Sequence, residues 1–202
     1  MATVEQLVTV RKYRFTVEEY HKMGKASIFS EDDRVELIDG EVVEMMPIGW
    51  RHMWCVRQLI RLLASFAETS SGVRYEVDAQ NPIALGEHGE LQPDLVLLHN
   101  PPVGRLPGAA ELALVVEVAD NSLGFDRDVK LPRYAEAGIA EAWLVDLNSE
   151  TIEVHSSPGP GGYRKTIRFG RGERVGSATV PDLTFDTSEA LPPREGVSEA
   201  KE

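Results

Sequence analysis

A carboxylate set among valines and leucines is costly to bury unless a cation or hydrogen bonds compensate it. This chain carries two such acids close together. Asp94 opens the apolar run Leu95-Val96-Leu97-Leu98 behind Gln92-Pro93, and Glu117 lies inside Leu114-Val115-Val116-Glu117-Val118-Ala119. Two carboxylates on neighbouring strands suit a hard divalent cation such as magnesium, which activates water and offsets charge on a phosphate. The plainer alternative for Asp94 is a strand-edge acid after a proline turn. For Glu117 that alternative is weaker, because its neighbours are almost all apolar. Lys130 is the nearby cation that could orient water or neutralise the transition state. It shares a helical face with Asp126 and Tyr134, where an ordinary intrahelical Asp–Lys pair is the competing explanation. Glu36, between Val35 and Leu37, points opposite to both; it either joins the metal site or is a common exposed strand acid.

Weaker candidates surround this set. His52 and Arg51 begin a long helix, where they could touch a substrate phosphate or simply be surface residues. His88, His99 and His155 have no metal-ligand spacing. Cys55 falls on an apolar helical face and has no partner that would make it a nucleophile. Trp143 is a core or interface aromatic.

The elements that must position these residues follow from periodicity. Thr16-Val17-Glu18-Glu19 matches a capping box, so a short helix starts there. Alternating runs flank Asp39-Gly40 and predict a tight hairpin within 34–45. Met53, Val56, Ile60, Leu63 and Ala67 recur at helical spacing and predict a main helix over 50–68. Strands are expected near 73–79, 82–85, 93–98 and 112–118, with a turn at 86–89 and a Pro/Gly-rich loop over 100–108. The segment 126–137 predicts a helix, its regular part starting near Lys130 because Pro132 fits only a first turn. Strands 142–147 and 151–155 form a hairpin. Residues 158–162 are a surface turn, and short strands continue to about Phe185. Clustered strands between helices indicate α+β rather than a doubly wound parallel sheet.

Composition bounds the rest. The chain has 202 residues, 42% of them hydrophobic, enough for one domain with a sizeable core. Residues 1–13 are expected to be a flexible lead-in, 14–190 the domain, and 191–202 a disordered acidic tail. A single cysteine excludes an intramolecular disulfide and argues against a Cys-based zinc site. No membrane span or secretory signal is evident, so a cytoplasmic location is expected. The net charge of −12 opposes loose binding to nucleic acid. Arg51, Arg57, Arg61 and Arg74 are the cations from which a basic patch could be built.

The ordered set of segments resembles a known family. Val35-Glu36-Leu37-Ile38-Asp39-Gly40-Glu41, His52 opening the long helix, Pro93-Asp94-Leu95-Val96, Val115-Val116-Glu117-Val118, Asp126 through Lys130 to Tyr134, and Gly138 through Asp146 are similar to the Uma-two family. That bacterial group is described as restriction endonucleases of the PD-(D/E)xK nuclease superfamily. The resemblance covers about residues 14–190. It implies a restriction-endonuclease-like fold, a mixed central sheet flanked by helices. It implies Asp94, Glu117 and Glu36 as ligands for Mg2+ or Mn2+, and a metal-dependent endonuclease acting on nucleic acid, with DNA the expected substrate. The superfamily pattern places a lysine two residues after the second acid. Ala119 stands there, and Lys130 is the matching lysine from the following helix. His52, Arg51 and Tyr134 are the expected substrate contacts. Two alternatives stay open: a non-catalytic binding or assembly module, and a hydrolase of a small phosphorylated substrate. A homo-oligomer is expected, with Trp143 and the sheet ends as its interface.

Overall fold

The computed structural model describes residues 11–30, 32–70 and 72–194. The first hairpin forms as its turn chemistry demands. Asp39 and Gly40 both adopt positive φ (52° and 79°) and join β1 (Val35–Ile38) to β2 (Glu41–Glu44), the primed turn that matches strand twist. Gly40 is required twice over, because a Cβ there would lie 2.7 Å from Arg14 Cβ. The preceding helix α1 (Val17–Lys25) has the reciprocal Thr16–Glu19 capping box. Two short strands, β4 (Ile83–Ala84) and β5 (Glu90–Leu91), complete a four-stranded sheet in the order β2-β1-β5-β4.

The main sheet has six strands: β3 (Tyr75–Ala79), β6 (Leu95–His99), β7 (Leu112–Ala119), β8 (Glu141–Asp146), β9 (Thr151–Gly159) and β10 (Gly162–Gly170). Their order is β10-β9-β8-β7-β6-β3. Only β7 and β8 pair in parallel, so the sheet is mixed. A parallel pair needs a crossover. It is supplied by α3 (Leu123–Phe125), a π-helical turn over Asp126–Lys130, and α4 (Leu131–Glu136).

One face of the sheet packs against α2 (Trp50–Thr69). Cys55, Val56, Leu59 and Leu63 meet Leu95, Leu97, Leu114, Val116, Val118 and Val145 there. The same core takes in β11 (Arg174–Gly176), β12 (Thr184–Asp186) and α5 (Thr187–Ala190) through Val175, Phe185 and Ala190. The opposite face packs Val96, Val115, Ala142 and Leu144 against Leu131, Tyr134 and Ile139. Trp143 is fully buried, its ring 5.6 Å from that of Phe185. It is a core residue and unavailable to an interface.

Several boundaries differ from expectation for physical reasons. The regular crossover helix, α4, begins at Leu131 beside Lys130 as expected, but helical backbone already starts at Leu123. Pro132 cannot sit in an uninterrupted α-helix, since its ring clashes with the carbonyl four residues back. The π turn relieves this by bonding Leu131 N to Asp126 O, five residues back. β9 runs through Pro158, because its pairing with β8 ends at Ser156 and leaves that side of the strand open. β10 is a nine-residue strand, longer than expected, while 82–85 contracts to two residues. At the C-terminal end Leu191 and Pro192 are buried, and Arg194 pairs with Glu150 at 2.6 Å. The expected tail is therefore packed over its first residues, and its remainder, 195–202, lies outside the described residues. So do residues 1–10 of the lead-in. Among the described residues no helix is long and apolar enough to cross a membrane.

Candidate active site

Strand alternation sets the site. Along β7, Leu114, Val116 and Val118 face α2, so Val115, Glu117 and Ala119 face the crossover. Glu36 shares a strand face with Ile38, which belongs to that same crossover-side core. The π turn brings Lys130 between them. Its Nζ lies 3.1 Å from Glu36 Oε1 and 3.2 Å from Glu117 Oε1, and it donates to the Gln92 carbonyl at 3.4 Å. Lys130 and Glu36 are each 2% exposed. The Tyr134 hydroxyl, one helical turn further on, also donates to Glu117 Oε1.

Asp94 stands at the sheet edge, one residue before β6. Its Oδ2 accepts from Val118 N at 2.8 Å, and its Oδ1 lies 2.9 Å from His52 Nε2. His52 is buried rather than at the surface; it faces the sheet from the first turn of α2 and holds Asp94 in place. Asp126, which opens the π turn, is buried and accepts from Ser122 Oγ at 2.5 Å. Glu36, Asp94, Glu117 and Asp126 thus share one cavity of about 260 Å3 with Lys130, His52 and Arg34.

The electrostatics follow from crowding. Burial raises the pKa of Glu117 well above the usual carboxylate value; Lys130 pulls it down, and Asp126, Asp94 and Glu36 push it up further. Burial likewise raises Glu36 and Asp126, against the pull of Lys130. Burial disfavours the Lys130 charge, but the four surrounding carboxylates outweigh it and its pKa is raised. Lys130 therefore stays an ammonium. Burial and the adjacent Glu117 raise Tyr134, which stays a phenol and a donor.

The donor set suits a hard cation: all oxygen, clustered and excessively negative. Two buried atoms, Glu36 Oε2 and His52 Nδ1, have no hydrogen-bond partner. Among the described residues, however, no three acids or histidines converge as a ready-made cation cage. Glu36 and Glu117 turn an oxygen to Lys130, and Asp94 turns one to His52. Side-chain rotation would be needed to bring a cation into contact with more than two of them.

Two expected substrate contacts are corrected. Tyr134 is completely buried, and its hydroxyl is committed to Glu117, so it positions a carboxylate and reaches no substrate. Arg51 is spent on the loops: it bonds Asp120 at 2.8 Å, Asn148 at 3.0 Å and the Leu147 carbonyl. Cys55 is buried, which raises its thiol pKa and leaves it inert. His88 bonds the Phe15 carbonyl and His155 sits beside Glu153, both away from the cavity. Sequence reasoning missed Asp126, Gln92 and Arg34. Asp126 was visible as the partner of Lys130 but not as a buried group. The Gln92 contact is made by backbone and leaves no side-chain signal. Arg34 immediately precedes β1 and makes no ion pair among the described residues.

Comparison with solved structures finds the same architecture. The chain aligns with the "Crystal structure of a putative nuclease belonging to DUF820 from Anabaena variabilis ATCC 29413" at a TM-score of 0.64 and 14% identity, covering 87% of this chain and 97% of that one. At that identity the likeness establishes the fold. No curated protein matches the chain. The family model Uma2, described as "Putative restriction endonuclease", matches residues 17–188. That is most of the chain and includes every residue of the cavity, and the chain belongs to the Uma2 family.

Proposed function

We propose that this protein is a metal-dependent nuclease that hydrolyses phosphodiester bonds in DNA. The observation that carries this reading is the burial of a lysine between two glutamates in a cavity that two further aspartates share. So many acids around one cation are expensive as structure alone, and they fit a site built to accept a divalent ion. Family membership supports the same reading.

Asp94 and Glu117 would hold Mg2+ or Mn2+, which supplies Lewis acidity toward the phosphate and a more acidic water. Water attacks phosphorus, one P–O ester bond breaks, and a phosphate monoester and a hydroxyl result. Lys130, raised by the surrounding carboxylates, would stabilise negative charge on the phosphoryl oxygens. Glu36 is the better acceptor for the proton of the attacking water. Burial raises its pKa, against the pull of Lys130 and of the Gln92 backbone N–H. His52 orients Asp94, Tyr134 orients Glu117, and Arg34 lies at the cavity wall without an ion pair among the described residues.

The test is cleavage of supercoiled, linear and single-stranded DNA in magnesium, manganese and chelator. Cleavage should need metal and fall at least about a hundredfold in Asp94→Asn and in Lys130→Met, the scale of loss on removing a preorganised electrostatic partner. Full activity in either variant would refute the assignment. Metal binding that needs Asp94 without any cleavage would favour a non-catalytic module on this fold.

A further inference from the structure

The rim of the cavity is apolar and exposed where a polyanion-binding surface should be basic. Met46 is 70% exposed, Ile48 38%, Trp50 48% and Met53 46%. Met46 and Ile48, in the loop between β2 and α2, line the cavity alongside His52, Asp94 and Lys130. Trp50 and Met53 continue the surface one turn into α2, on the side facing away from the sheet. Four and eight residues beyond Met53, Arg57 and Arg61 are exposed on the same helical face. At about 1.5 Å per residue they stand about 6 Å apart along the axis, and Arg57 about 10 Å beyond Trp50. Arg57 makes no ion pair among the described residues, whereas Arg74 pairs with Glu76 and Arg51 is held by the loops.

We infer that this face of α2 takes an unpaired strand of the substrate, with bases against Trp50 and Met53 and phosphates on Arg57 and Arg61. The identity of the occupant rests on the nuclease reading; the geometry of the face does not. Four points favour an unpaired strand over an intact duplex or a second copy of the chain. The apolar rim is continuous with the cavity that holds the acids. Bases offer flat apolar faces only when unstacked, and stacking on an aromatic supplies affinity with little need for charge. A duplex would bring the phosphates of both strands to a protein of net charge −12. The two arginines beyond the apolar rim complement a polyanion, and their spacing suits successive phosphates of one extended strand.

Fluorescence anisotropy in chelator, across a salt series, tests this with a labelled oligo-dT and a blunt duplex of equal length. Oligo-dT should bind at least about tenfold more tightly than duplex, and Trp50→Ala should weaken it at least about fivefold, the low end for loss of one stacked base. Trp50→Phe should retain most of the affinity. Arg57→Ala should make the slope of log K against log salt shallower by about 0.7, the value for one phosphate of a single strand. Equal binding to duplex, or wild-type affinity and slope in both alanine variants, would overturn the inference. So would a wild-type dimer that Trp50→Ala turns into a monomer in sedimentation while oligo-dT affinity is unchanged; the face would then be a contact between copies. Trp50-dependent binding without metal-dependent cleavage would support this face and refute the nuclease assignment. Cleavage that persists with Trp50-independent binding would do the reverse.

Discussion

Replacing Lys130 with Met removes the one ammonium from a pocket of buried acids and roughly conserves volume. Its Nζ lies 3.1 Å and 3.2 Å from the two glutamates. At an effective dielectric of about 20, each contact is worth about 5 kcal/mol of Coulomb attraction, much of it offset by the desolvation of all three groups. Breaking such a pair from one side leaves uncompensated charge and costs about 3–5 kcal/mol. For a chain of this size that is about 6–20 °C in Tm. The loss must depend on pH. Glu36 and Glu117 already have raised pKa values in the folded state, first because of burial, and Lys130 is the principal group pulling them down. A carboxyl with a raised folded pKa contributes stability that is fully present below its unfolded pKa, near 4.5. That contribution is lost as pH rises through the folded value. Without Lys130 the folded values climb and the loss extends to higher pH. The Tm difference between wild type and Lys130→Met should therefore be small near pH 5 and grow steadily toward pH 8. Calorimetry at four pH values checks this. A difference that is constant with pH would mean that Lys130 contributes through packing alone, and the electrostatic account of the site would be wrong.

Three further outcomes are expected. His52→Ala should weaken divalent-cation binding about 10–100-fold, the usual effect of losing a partner that orients a ligand; titration calorimetry giving unchanged affinity would show that Asp94 needs no such support. Magnesium or manganese at about 100 times its dissociation constant should stabilise the fold by about 2.7 kcal/mol, about 5–11 °C here. The shift should vanish in Asp94→Asn, and a Tm indifferent to both metals would remove the case for a cation site. Gly40→Ala should cost at least about 1–3 kcal/mol in denaturant unfolding, from the positive φ it imposes and the collision with Arg14; a variant as stable as wild type would show that Arg14 moves aside freely.

The legible part of this protein was whatever rests on local pattern. The Asp39-Gly40 turn, the Thr16 cap, the apolar stripe of α2 and the polar Glu117 in an apolar strand are each decided within a few residues. Glu117 stands out because a carboxylate in an apolar run is rare; Asp94, Lys130 and Glu36 each have an ordinary explanation in sequence and are joined to it through the family resemblance. Their partnerships were not legible. That Lys130 takes both glutamates, that Tyr134 caps Glu117, and that His52 reaches Asp94 all depend on how elements distant in sequence pack together. The tertiary environment also reversed surface expectations: His52 looked like a helix-end surface residue and is buried, while Arg51 beside it is drawn off by Asp120 and Asn148. Short strands such as β5 are too brief to carry a period of their own and exist only because β1 and β4 flank them.

The lysine is where these levels meet. Two residues after Glu117, Ala119 is fully buried on the crossover side, in the same core as Leu131, Tyr134 and Ile139. A lysine stem at that position would have to displace those side chains, a costly overpacking. The crossover offers another route, because a helix must pass over this sheet face to make β7 and β8 parallel. Pro132 makes that helix open into a π turn, and the turn presents Asp126 and Lys130 to the strand acids. A residue that reads as a helix breaker is thus part of how the ammonium reaches the site. The long lysine stem spans the remaining gap from above the sheet. The position of Lys130 and the irregular helix are therefore two aspects of one packing solution, and a chain that lost Pro132 would be free to rewind the π turn and swing Lys130 off Glu36.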